Sequence, residues 1–285
     1  MGTEGDEIAR LREWIGRKES RTDVVSAWPA AALAATLDRD DPAPTAGEPL
    51  PPGWHWLYFL EARRASELGP DGHCRRGEFL PPVELPRRMW AGGRIEFRRA
   101  LRIGEALRRD SEIVSVEPKR GRSGRLVFVT VRHTILAAGE VAVIEEHDIV
   151  YREAARPAEA PARAEPAPQR AAWRRELLAD PVMLFRFSAL TFNGHRIHYD
   201  LDYCRAQGYP GLVVHGPLQV ILLLDLCRRH GPRPVARIEY RALHPVFHFE
   251  RMAVNGEPAA DGTKVALWTS NAEGHCAMSA TACFA

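Results

Sequence analysis

The sequence predicts an α+β chain in which two antiparallel sheets each wrap around a long central helix, and three observations carry that prediction. Residues 153–172, EAARPAEAPARAEPAPQRAA, are rich in Pro and Ala and almost devoid of large apolar side chains, so they cannot bury themselves and read as a linker. They divide the chain into a leading half, 1–152, and a trailing half, 173–285. A short segment then recurs across that division: Gly93-Arg94-Ile95-Glu96-Phe97-Arg98-Arg99-Ala100-Leu101 reappears as Ala236-Arg237-Ile238-Glu239-Tyr240-Arg241-Ala242-Leu243, with a one-residue slip before Ala-Leu. Two copies of one module imply pseudo-twofold packing rather than a solenoid. Lastly, residues 216–227 form a helical stretch that is apolar nearly all round. Such a helix must be buried on most sides, which a curled antiparallel sheet provides.

Along the chain, residues 6–18 carry Ile8, Leu11, Trp14 and Ile15 at helical spacing, with Asp6 near the start. Residues 54–68, with Trp54, Trp56, Leu57, Phe59 and Leu60, are the expected first-half counterpart of the buried helix, and their aromatics are expected in the core. Apolar alternation predicts strands at 126–134 and 141–151, and again at 265–270 and 275–284. In the helix at 216–227, Pro217 suits the first turn, Arg228, Arg229 and His230 the last, and Gly231-Pro232 the stop. The pairs Asn255-Gly256 and Asp261-Gly262 are turn signals expected to divide the last strands into hairpins.

Composition narrows the function classes. A hydrophobic fraction of 45% suffices for a real core, and 39 Lys plus Arg against 37 Asp plus Glu is not the balance of a nucleic-acid binder. The first residues are charged from Glu4 and lack a signal-peptide pattern, and no stretch reaches the roughly 18 apolar residues of a membrane span. Five scattered cysteines without a C-x-x-C pair suit a reducing cytoplasm. The Arg-rich stretches around Arg87–Arg102 and Lys119–Arg125 read chiefly as solvated strand and hairpin residues, with one or two of the first group open to a coenzyme phosphate or a substrate carboxylate.

Chemistry concentrates just ahead of the buried helix. Three of the eleven histidines, His195, His198 and His215, stand close together with Asn193. Imidazole is the commonest general acid or base because its unperturbed pKa of about 6.5 lets it carry a proton either way. An amide such as Asn193 fixes a water or a carbonyl without titrating. His215-Gly216 opens the helix, where free N–H groups favour a developing negative charge and Gly lets a ligand approach the backbone. His195 and His198 read alternatively as metal ligands, for which the spacing offers no third ligand, or as hydrogen-bonded core histidines. His215 alone reads equally well as a brace for the helix start.

The stretch Thr191-Phe192-Asn193-Gly194-His195-Arg196-Ile197-His198-Tyr199-Asp200, followed by Gly211 to Gly216, resembles the hydratase motif of MaoC-like hotdog proteins. Its Asn-x-His-x-x-His core resembles the branch holding type 2 hydroxyacyl-thioester dehydratases and the mesaconyl-C4-CoA and itaconyl-CoA hydratases. Leu85-Pro86-Arg87-Arg88-Met89-Trp90-Ala91-Gly92-Gly93 is similar to the entry of their degenerate N-terminal hotdog. The resemblance implies a double hotdog whose trailing half keeps the catalytic residues, acting on an acyl thioester of coenzyme A or an acyl carrier protein. It implies no metal and no cofactor beyond the coenzyme A of the substrate, no nucleic-acid or membrane partner, and a homodimer as the plausible assembly.

The wider MaoC pattern has an acidic residue where this chain has Asn193, and Asn where it has His195, so the usual Asp–His dyad is missing. The expected catalytic residues are therefore His198 as principal acid/base, His195 as a second proton carrier, Asn193 holding the water, and the Gly216 N–H against the thioester oxygen. His215 and Arg196 are the substrate-binding candidates, and Asp200 orients a neighbour. The expected reaction is hydration of a branched C5 dicarboxylyl-CoA. The alternatives are a 3-hydroxyacyl-thioester dehydratase of fatty-acid synthesis and a catalytically silent thioester-binding module.

Overall fold

A computed structural model describes residues 4–121, 124–154 and 164–285. Ten strands form one continuous antiparallel sheet: β1 (Lys18–Val24), β2 (Arg87–Phe97), β3 (Ala106–Gly121), β4 (Gly124–Ala137), β5 (Glu140–Arg152), β6 (Trp173–Leu178), β7 (Val235–Ala242), β8 (Arg251–Pro258), β9 (Lys264–Ser270) and β10 (Cys276–Phe284). Their order is β1-β3-β4-β5-β2-β7-β10-β9-β8-β6. Each half thus contributes five strands with the same connectivity, its first strand at the outer edge and its second at the centre. The two expected sheets are joined edge to edge by β2 and β7.

The sequence repeat lies at that junction and pairs with itself. Ile95 stands opposite Ile238, Arg94 opposite Glu239 and Glu96 opposite Arg237, so the pseudo-twofold axis passes through the two isoleucines. Both are essentially buried, at 1% and 0% exposed. Opposite charges face each other on either side, the favourable arrangement for directly opposed residues of an antiparallel pair.

Among the described residues five α-helices accompany the sheet: α1 (Glu4–Arg12), α2 (Ala27–Thr36), α3 (Pro181–Leu190), α4 (Leu201–Ala206) and α5 (Gly216–His230). The predicted central helix is α5, with Pro217 in its first turn, three basic residues in its last and Gly231 as C-cap; residues 218–227 are buried. Its one buried charge, Asp225, is held by Arg39, by Arg175 at 3.2 Å and by Arg229 at 2.8 Å. A buried carboxylate is tolerated only when paired in this way, and Arg39 ties the leading half to the helix. Among the described residues no helix is long and apolar enough to cross a membrane.

The leading half departs from expectation. Residues 54–68 form no long helix: only Trp54–Leu57 and Ala65–Glu67 make single 3-10 turns. Gly53 and Phe59 take positive φ, 84° and 59°, on either side of the first turn, so the chain reverses where a helix would have to continue. The aromatics are nonetheless core: Trp54, Tyr58 and Phe59 are 4–5% exposed. The first helix is shorter than predicted, because Gly16 takes φ 86° and Lys18 already pairs with Glu112 as β1. Asn255-Gly256 is not a turn but lies within β8, opposite Trp268 and Leu267, whereas Asp261-Gly262 does lie between β8 and β9. The predicted linker falls partly on residues 155–163, outside the described residues. Beyond them Ala167 packs on Trp268 and Cys276, and its N–H donates to Gly274 O at 2.8 Å.

Ile221, on α5, is fully buried, and Ile221→Ala is expected to cost about 2–5 kcal/mol of stability. Chemical denaturation should show a lower unfolding midpoint; an unchanged midpoint would contradict the enclosure of α5 by the sheet.

Candidate active site

The motif is built where α3 ends. Asp180 caps that helix by accepting from Met183 N at 2.8 Å. Phe192 then takes φ 47° and the Asn193 N–H donates back to Ser188 O at 2.8 Å. The Asn193 Oδ1 accepts from His195 N at 3.0 Å, so the remaining amide donor, Nδ2, is the one available to a ligand. A 3-10 turn over Arg196–His198 follows, and Asp200 caps α4 by accepting from Tyr203 N at 2.9 Å.

His198 is the most constrained of these side chains. It is 7% exposed, and its Nδ1 lies 2.7 Å from Val213 O. A carbonyl only accepts, so Nδ1 carries the proton and, in the neutral ring, Nε2 keeps its lone pair. Burial lowers the pKa of His198 to about 4, which keeps the ring neutral near pH 7. His215 stacks on it with ring centroids 3.6 Å apart. His215 is itself fully buried, its Nε2 is 2.8 Å from Ser188 Oγ, and burial followed by the two neighbouring imidazoles holds its pKa well below the ordinary value. It braces the start of α5, and the expectation that it contacts substrate is corrected by that enclosure.

Arg196, the other expected substrate-binding residue, donates to Asp200 Oδ2 at 2.7 and 3.0 Å and to Pro70 O at 3.1 Å and lies over the Tyr203 ring, with its side chain still 39% exposed. Gly216 stands at the first turn of α5, whose leading N–H groups have no partner inside the helix. A Cβ there would come within 2.5 Å of the Trp90 ring. Trp90, on β2, therefore covers the helix start from the leading half, and only Gly fits beneath it.

The leading half also supplies two residues that the sequence reading passed over. His73 packs on His195 with ring centroids 4.2 Å apart, and its Nδ1 is 2.9 Å from Asp71 Oδ2. Their loop is pressed onto the motif: Asp71 O accepts from Arg196 N at 3.0 Å, and a Cβ on Gly72, at φ 88°, would fall 1.9 Å from Gly194 O. Burial opposes ionisation of Asp71, yet the hydrogen bonds and charge of His73 hold its carboxyl well below the usual range. For His195, burial first and His73 second lower the pKa to about 2. Donor atoms of Asp71, His73 and His195 lie within 4.8 Å of one another, which supplies the third donor for a divalent cation that local spacing lacked. A short Asp-x-His turn is the only sequence signal for this loop; its docking is set by tertiary contact.

Beside the 3-10 turn at Trp54–Leu57, a cavity of about 220 Å³ is lined by His55, Arg109, His133, Glu145, His147 and Thr191, among others. Glu145, 2% exposed, lies 3.0 Å from His55 Nε2 and accepts from Trp56 Nε1 at 2.8 Å. Of the Arg-rich group on and after β2, Arg94 pairs with Glu146 and Asp148, Arg98 with Glu96 and Arg99 with Glu105. Those arginines already have carboxylate partners.

Residues 53–248 match the family described as hydroxyacyl-thioester dehydratase type 2. The chain is 47% identical to mesaconyl-C(4)-CoA hydratase of Chloroflexus aurantiacus, covering 94% of this chain and 95% of that one. It is 30% identical to the mitochondrial hydroxyacyl-thioester dehydratase type 2 of Schizosaccharomyces pombe, covering 70% of this chain and 74% of that one. A Mycobacterium tuberculosis protein with a double hotdog fold superposes with a TM-score of 0.58 at 16% identity, covering 94% and 96%. That likeness shows the fold, and the double hotdog expected from the motif is the fold observed.

The buried neutral histidines make stability depend on pH. Unfolded, these rings take up a proton near pH 6.5; folded, His198 resists until about pH 4, and burial holds His215 well below its ordinary value. Their contribution is complete above about pH 6.5 and is lost as pH falls toward 4, by up to about 1.4 kcal/mol per pH unit for each ring. The melting temperature should fall steeply over that window; a flat profile would contradict their burial as neutral rings.

Proposed function

The chain belongs to the hydroxyacyl-thioester dehydratase type 2 family, and from that premise we propose that it hydrates an enoyl-CoA whose acyl group is a branched C5 dicarboxylyl, with mesaconyl-C4-CoA the first candidate and itaconyl-CoA the second. The chain is a hydro-lyase; the acyl group is what the proposal adds. Likeness to the Chloroflexus hydratase over nearly the whole of both chains carries it.

In the mechanism assigned to this site, His198 Nε2 takes a proton from water as the water oxygen bonds to the β-carbon. The displaced π pair becomes a thioester enolate, and its oxygen lies against the Gly216 N–H. One such preorganised donor contributes about 3–4 kcal/mol to the barrier. Asn193 Nδ2 holds the attacking water, and a second proton carrier delivers hydrogen to the α-carbon. The mechanism asks for no metal or separate cofactor, since coenzyme A belongs to the substrate.

A second reading, dehydration of a longer 3-hydroxyacyl thioester, is favoured by the family description and the fission-yeast relative and uses the same residues. A silent binding module is set aside by the family's enzymatic character. The free thiols of all five cysteines support a cytoplasmic location. A homodimer remains part of the proposal, although one chain already brings both halves to the site.

Enoyl-thioester absorbance should fall rapidly when the protein meets mesaconyl-C4-CoA or itaconyl-CoA, and His198→Gln should slow this by about 10²–10⁴-fold. A marked preference for crotonyl-CoA would transfer support to the second reading; no turnover of any of the three would contradict hydration.

A further inference from the structure

Addition of water needs a group that gives a proton to the α-carbon as well as one that takes a proton from water. None of the motif's histidines has a carboxylate to hold a second ring proton. His198 is tied to a carbonyl, His215 to a hydroxyl, and the nearby Asp200 is committed to Arg196 and to the cap of α4. Around the motif, the imidazole with a carboxylate partner is His73, whose Nδ1 is 2.9 Å from Asp71 Oδ2. Both side chains keep partial access to solvent, at 22% and 23% exposed, so a substrate can reach them.

The loop that carries this pair is fixed rather than incidental. Its backbone accepts from Arg196 N at 3.0 Å and from the Arg196 side chain at 3.1 Å, and Gly72 meets Gly194 at a distance that admits no side chain. Between His73 and His198 lies His195, with ring centroids 4.2 Å from the first and 5.5 Å from the second. Three imidazoles therefore form a row from the Asp71 carboxylate to the Val213 carbonyl.

We propose that Asp71 and His73 are a further catalytic pair, His73 serving as the acid that protonates the α-carbon and Asp71 as the counter-ion of its imidazolium. This rests on the hydratase reading and supplies the proton donor that reading leaves open. In the hydration direction His198 Nε2 gains the water proton as the O–C bond forms. The Nε2–H bond of the His73 imidazolium breaks as the α-carbon–hydrogen bond forms. The proton on His198 then passes to His73 through His195, so every ring returns to its starting state and the net change is one water added. Dehydration runs the same steps backward.

A divalent cation held by Asp71, His73 and His195 is the competing use of these atoms. It is disfavoured because His73 Nδ1 already gives its hydrogen to Asp71; ligation through Nε2 would leave Asp71 as a supporting group and only two direct ligands, fewer than the three or four of zinc sites.

The charged and titratable groups around His73 are Asp71 and Arg76 on its own segment, Arg88 on β2, His195 and His198 in the motif, and Tyr203 of α4 on the Asp71 side. Burial and then Arg88 lower the His73 pKa, and Asp71 raises it. The kcat/KM profile should be a bell, with an acid limb near 4 from His198 and an alkaline limb from His73. Removing the Asp71 charge should move only the alkaline limb, and toward lower pH.

The test is steady-state hydration of mesaconyl-C4-CoA and crotonyl-CoA across pH by the wild type, His73→Gln and Asp71→Asn, with melting temperatures and metal content of each protein. His73→Gln should lower kcat by about 10²–10⁴-fold with KM within about threefold, and Asp71→Asn should shift the alkaline limb while still folding. Wild-type kcat in His73→Gln, an unmoved limb in Asp71→Asn, or a stoichiometric divalent metal whose removal abolishes turnover would each overturn the pair's role. An inactive wild type would instead bring down the hydratase reading, and this assignment with it, whereas an active wild type with an unaffected His73→Gln overturns this assignment alone.

Discussion

The pairing of β2 with β7 is the contact on which the rest of the molecule depends. Without it each half would expose an unpaired central strand edge, a row of backbone donors and acceptors that invites association with other chains. With it the two five-stranded halves become one sheet, with Ile95 on Ile238 at the axis. The same pairing brings Trp90 over Gly216 at the head of α5. It also makes the site composite: the trailing half supplies His198 and the helix N-terminus, and the leading half supplies the cover and the Asp71 loop.

The two halves have the same strand connectivity but have diverged in what the sheet encloses. The trailing half wraps a 15-residue helix. In the leading half, residues 54–68 make only short 3-10 turns, and beside the first of them is a cavity lined with His, Glu and Arg. Thr191, at the head of the motif, is part of that cavity's wall. Burial keeps the rings of the motif neutral, and bases of low pKa are poor partners for an acid unless that acid has its own counter-charge, which Asp71 offers to His73.

Much of this was legible in the sequence, for identifiable reasons. Strands β4, β5, β9 and β10 show through because alternation reports one buried face, and α5 shows through because its apolar run, Pro217 and Gly231 all agree. The repeat pointed correctly to twofold pairing. Residues 54–68 misled because the spacing of their aromatics suits a helix, while the positive φ at Gly53 and Phe59 is decided by packing. Asn255-Gly256 misled because Asn255 is fully buried and its amide donates to Ala253 O, Trp268 O and Ser270 Oγ, so a turn-forming side chain serves the strand instead. Asn193, His195 and His198 were visible because they are adjacent in sequence. Asp71 and His73 were not, since more than a hundred residues separate them from the motif they touch.

The central claim is that His198 is a neutral base with its proton on Nδ1 and its lone pair on Nε2, and imidazole nitrogen NMR across pH tests it most directly. The account predicts the Nδ1–H tautomer at neutrality, persisting until protonation near pH 4. A His198 signal showing the Nε2–H tautomer, or an imidazolium at neutral pH, would contradict it.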